Sequence, residues 1–331
     1  MIFHPAVMAL LVADAVGLFL LVPTALFAVA VLRHWDLASG SARQIRMEQR
    51  THLVATALGF VFLIQVLALL LFVFTADRLA VQFVGAMCAV GTLNVNPFGF
   101  PAFYLKLTLF FLAVLWLFLN HVDNRAPDYP FIRVKYALLL LVAPVAVLAA
   151  WVELRYFLGL KAEVITSCCG SLFSDTGESV EADLAALAPR SAMVAFYAVT
   201  AAAIAIGGWA RRGRGVPWLA PASAIAFVVT LAAVVSFIAP YVYEHPHHHC
   251  PFCLLKPEYG YVGYVLYLPL FLATGLGAAL GITHLLARGA SARAAVAEVT
   301  RGVASFAAAM FLLLMIVATV LILRSNLVLL E

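Results

Sequence analysis

The densest run of chemistry-bearing side chains is His247-His248-His249-Cys250-Pro251-Phe252-Cys253, and the chain's other three cysteines are the vicinal pair Cys168-Cys169 and a lone Cys88. Two thiols separated by two residues can close a small disulfide. Imidazolium groups beside them stabilise the thiolate and lower its pKa, and His247–His249 supply that setting. Thiolate and imidazole together also suit soft or borderline cations such as Cu(I) and Zn(II), which makes His247, His248, His249, Cys250 and Cys253 a candidate ligand set. A disulfide between sequence neighbours needs strained geometry. Cys168 and Cys169 are therefore expected to reach different partners or to act as a pair. Leu254 follows Cys253, so the CxxCH of covalent haem attachment is absent. No P-loop, GxSxG or HExxH is present, which leaves nucleotide hydrolysis and standard hydrolase chemistry without support.

The elements that must position these residues are membrane helices. Of 331 residues, 65% are hydrophobic and 11% are charged, against roughly 25% charged in a soluble domain. The mean hydropathy is +1.06. Crossing the hydrocarbon core takes about 20 apolar residues, and eight stretches qualify: 5–32, 51–75, 104–120, 136–157, 191–210, 218–241, 261–286 and 302–323. The expected fold is an all-α polytopic bundle forming a single transmembrane domain over 1–331. The apolar segment 79–93 is too short to span and is read as interfacial or re-entrant. Residues 287–301 (ARGASARAAVAEVTR) read as a cytoplasmic helix or linker. No basic segment precedes the first apolar stretch, so that span is expected to be retained.

Thirteen of the twenty lysines and arginines fall in one alternating set of links, concentrated around Arg43–Arg50, Arg125–Lys135, Arg211–Arg214 and Arg288–Arg301. The positive-inside bias makes those links cytoplasmic and puts both termini outside. Loops 76–103, 158–190 and 242–260 then lie on the extracytoplasmic face and carry all five cysteines. The net charge of +4 fits loops facing anionic lipid and does not suggest nucleic acid. In a bacterial inner membrane, the expected location, that face is oxidising and permits disulfides.

Within the spans, Asp14 is the best candidate for a buried acid, and Gln65 sits near the middle of the second stretch. Glu153 and Arg155 are expected to be interfacial and to snorkel. Charged side chains are too sparse for an obvious ion pathway.

Cys250-Pro-Phe-Cys253 resembles the CPxC motif of thioredoxin-like oxidoreductases over four residues, and that resemblance implies thiol–disulfide exchange. The leading expectation is a membrane thiol–disulfide redox protein, with Cys250 and Cys253 exchanging and Cys168, Cys169 and Cys88 as relay or resolving thiols. No cysteine lies near the cytoplasmic side, so a quinone is the natural electron partner. The arrangement is similar in function to the quinone-linked disulfide-forming enzymes and vitamin K epoxide reductases. A periplasmic thiol protein or membrane-complex subunits are the expected protein partners. The alternatives are a copper-, zinc- or mercury-handling membrane protein using the same residues, and a structural subunit whose loops are stapled by disulfides. Bacterial mercury-uptake proteins, too, carry a cysteine pair.

Overall fold

The computed structural model describes residues 2–161, 163–166 and 187–329, and every regular element among them is helical. Eight helices are long and apolar enough to cross a membrane: α1 (Pro5–His34), α2 (Ala42–Leu79), α3 (Gly99–Asp123), α4 (Ile132–Leu158), α5 (Pro189–Ala210), α6 (Val216–Tyr243), α7 (Val262–Leu286) and α8 (Ala290–Arg324). The protein is thus an all-α, polytopic integral membrane protein. Segment 79–93 does not span. It is a 3-10 turn at Ala80–Gln82 followed by one short helix, Ala89–Leu93. The basic stretch Arg43–Arg50 and most of the segment read as a helix or linker before Arg301 are continuous with α2 and α8. Helical hydrogen bonding runs past the hydrocarbon edge because nothing in either stretch breaks it.

Prolines mark helix starts and local adjustments. Pro5 and Pro189 occupy first-turn positions, where the missing N–H costs nothing. Gly215 takes φ +70° in the α5–α6 turn, packed so closely on the Trp209 ring that a β-carbon would collide with it.

The chain forms two compact units. The first comprises Met1–Ala76, Leu93–Ala162 and Leu286–Val296, and the second Asp77–Thr92, Glu163–Leu285 and Ala297–Glu331. In the first, the core is aliphatic and aromatic: Leu21, Leu58, Leu139 and Val142 surround Phe62 and Trp116, whose rings stand 4.9 Å apart. In the second, α6 and α7 meet through small residues. Gly277 faces Ser223 and Gly281 faces Ala220 with no room for a β-carbon. Close backbone approach of this kind drives helix association where lipid removes the hydrophobic incentive.

Candidate thiol site

Three of the five cysteines meet in the second unit. Cys88 stands immediately before the short helix Ala89–Leu93, whose first turn closes with Gly91 N–H donating to the Cys88 carbonyl at 3.0 Å. Cys250 and Cys253 lie on the α6–α7 loop, Cys253 opening a 3-10 turn to Leu255. The sulfurs of Cys88, Cys250 and Cys253 all lie within 4.8 Å of one another. Cys88 Sγ and Cys250 Sγ are 3.5 Å apart and unbridged. None of the three residues is more than 5% exposed.

Hydrogen bonds fix both loops. The α6–α7 loop is held from the helix ends, where the Tyr243 hydroxyl donates to the Cys250 carbonyl at 2.6 Å and the Tyr267 hydroxyl to the Pro251 carbonyl at 2.8 Å. The Lys256 ammonium donates to the Met87 carbonyl at 2.6 Å, tying the two cysteine segments together. On the Cys88 side, Thr166 N–H donates to the Val84 carbonyl at 3.0 Å, and its hydroxyl to the Gly91 carbonyl at 2.9 Å. Gly85, at φ +85°, lets the chain turn beneath Thr166, whose carbonyl occupies the place a β-carbon would take.

The histidines are arranged otherwise than their sequence neighbourhood suggests. A π-helical stretch, Val234–Ile238, interrupts α6 just before Pro240. Ala239 N–H reaches back five residues to the Val234 carbonyl. In that register Val235's carbonyl would need Pro240's N–H, which proline lacks. His249 Nδ1 fills the vacancy at 2.8 Å from the Val235 oxygen, which makes Nδ1 the protonated nitrogen. His248 lies over the Tyr243 ring, centroids 4.2 Å apart. Burial, followed by the nearby His245 and His249, holds its pKa below the ordinary histidine range, favouring the neutral ring. His245 and His247 are exposed.

Two sequence expectations change. The expected thiolate activation by His247–His249 is not what the site produces. The Cys253 sulfur and burial push the Cys250 thiol above its ordinary range, with only Cys88 pulling the other way among the nearby side chains. Its adjacent imidazole, His249, is committed to a carbonyl. The mixed Cys/His ligand set is likewise replaced: among the described residues, the group with metal-binding spacing is cysteine alone. Cys168 and Cys169 lie outside the described residues.

A second constellation was missed. Glu153 is fully buried, with its carboxylate 2.5 Å from the Lys106 ammonium, and does not snorkel. Lys106 also reaches Asp14 Oδ1 at 3.4 Å, and Asp14 accepts from the Gln65 amide at 3.1 Å. The signal for Lys106 was a single lysine inside the apolar run YLKLTLFFL. No family model, known protein or solved structure matches this chain.

Proposed function

We propose that this protein handles a soft, thiophilic metal ion, with Cu(I) the best fit, held by Cys88, Cys250 and Cys253. The observation that carries this reading is three buried sulfurs within 4.8 Å of one another. Converging thiolates select soft cations. Burial at this depth admits a small ion more readily than the disulfide of a partner protein, and a cysteine held as a thiol is a slow nucleophile. A bound cation displaces the thiol protons as it binds. An extracytoplasmic site with both termini outside is the orientation that the loop charges support, and a bacterial inner membrane is the proposed setting.

Thiol–disulfide exchange is the second reading, favoured by the 3.5 Å separation of Cys88 and Cys250. Closing that pair forms one S–S bond and releases two protons and two electrons, which a quinone would accept to become a quinol.

The two readings separate in one experiment. The purified protein is titrated anaerobically with Cu(I) in competition with a chromogenic chelator, and its thiols are counted by mass in parallel. The expected result is one Cu(I) per chain, bound more weakly in Cys88→Ser, Cys250→Ser and Cys253→Ser but as tightly as the wild type in His247→Ala. Failure to compete for Cu(I), together with a Cys88–Cys250 disulfide in the isolated protein, would overturn the metal reading in favour of exchange.

A further inference from the structure

The first unit contains two buried charge clusters, and they differ in arithmetic. Near one end of α3, Asp123 pairs with Lys135 at 2.7 Å, one acid to one base, both almost fully buried. Its other oxygen accepts the Phe131 N–H at 2.7 Å, and Lys135 also donates to Asn120 Oδ1 at 3.1 Å. That cluster is neutral when fully ionised. The cluster around Lys106 is not: two carboxyl groups, Asp14 and Glu153, face a single ammonium.

Four helices of this unit supply groups around the ammonium. From α1 comes Asp14, and from α2 the neutral Gln65 amide and the Phe72 ring, 5.9 Å from the ammonium. From α3 comes Lys106, and from α4 Glu153 and the buried Tyr156. No second cation faces the site among these. Fully ionised, it would hold a net negative charge with Asp14, Lys106 and Glu153 at 6%, 2% and 0% exposure. Buried uncompensated charge is among the most costly arrangements, more so inside a bilayer.

Glu153 Oε1 points to the missing particle. It is buried and finds no N–H or O–H donor among the described residues, while Asp14 and Glu153 both lie against the one ammonium. A carboxyl that carries a proton needs no second cation and gains a donor of its own. The position that a metal cation would take is already filled by the ammonium.

We infer that Asp14 and Glu153 together hold one proton, making the Asp14–Lys106–Glu153 cluster an intramembrane proton-binding site. A small cavity of ≈ 10 Å³, lined by Asp14, Gln65 and Gly17 among apolar neighbours, adjoins it. That is about the space of a single water beside Asp14. Asp14 lies about 15 Å along α1 from its start at helical rise, so such a proton sits within the hydrocarbon region.

Infrared difference spectroscopy on the full-length purified protein tests it. At neutral pH the wild type should show the C=O stretch of one protonated carboxyl per chain, shifted on exchange into D2O. Glu153→Gln and Asp14→Asn each leave one acid to one base, so each should abolish the band. Lys106→Met leaves two acids and no base, so it should double the band. A wild type without the band at neutral pH overturns the inference, and so does a band unchanged in both carboxyl variants. Should one carboxyl variant fail to fold, the other decides the matter.

Discussion

Proton release on metal binding provides the most demanding check of the thiol site. An ordinary thiol has a pKa near 8.5, so ionising it at pH 7 costs about 2 kcal/mol, and three such thiols cost about 6 kcal/mol. Cys250 adds to that, because Cys253 and burial push its thiol further up. Each proton displaced by the metal makes the apparent affinity rise about tenfold per pH unit while the pH stays below the thiol's pKa. Three thiols that start protonated therefore predict that Cu(I) affinity climbs by about three log units per pH unit between about pH 6 and 8. Because the raised Cys250 thiol is still protonated at the top of that range, its share of the slope, about one log unit per pH unit, should persist to the upper limit. Cys88→Ser removes one exchangeable proton and should reduce the slope to about two. The assay is competition with a chelator of known proton dependence at several pH values, with Cu(I) kept reduced. A wild-type slope below about one, or the same slope in Cys88→Ser, would refute the argument that three neutral thiols become ligands.

Lys135→Met should destabilise the protein by about 3–5 kcal/mol in detergent unfolding, because it strands the buried Asp123 carboxylate. Adding Asp123→Asn to that variant should recover most of the loss, whereas an equal or larger loss in the double variant would deny the pair its role. Tyr267→Phe leaves the Pro251 carbonyl without its 2.8 Å donor, a cost of about 1–3 kcal/mol. It should speed alkylation of Cys250 and Cys253 in the folded protein. Gly85→Ala forces a side chain into a left-handed conformation costing roughly 1–2 kcal/mol and drives a methyl into the Thr166 carbonyl. Faster modification of Cys88 is the expected readout, and wild-type rates would refute the packing described. In intact cells, cysteines introduced as Arg43→Cys, Arg133→Cys, Arg212→Cys and Arg293→Cys should resist a membrane-impermeant thiol reagent while His245→Cys reacts. Labelling at any of the four arginine positions would reverse the assigned orientation.

The sequence by itself determined the eight spans, because hydrocarbon thickness and the need to satisfy every backbone polar group inside the segment are one-dimensional requirements. It also determined that 79–93 would not cross, since fifteen residues are too few, and that Cys250 and Cys253 would be neighbours, since two intervening residues keep them close. What depended on tertiary structure was every pairing across helices. Lys106 and Asp14 are 92 positions apart, and whether they meet depends on how α1 and α3 are rotated about their axes. Hydropathy does not encode that angle, which is why Glu153 reads as a snorkelling residue from sequence alone. Cys88 joining Cys250 across 162 positions is of the same kind. His249 shows the reverse failure: adjacent to Cys250 in sequence, it is turned to Val235 because Pro240 leaves that carbonyl without a donor. A buried carbonyl must find a donor, and that requirement in three dimensions outweighed proximity along the chain.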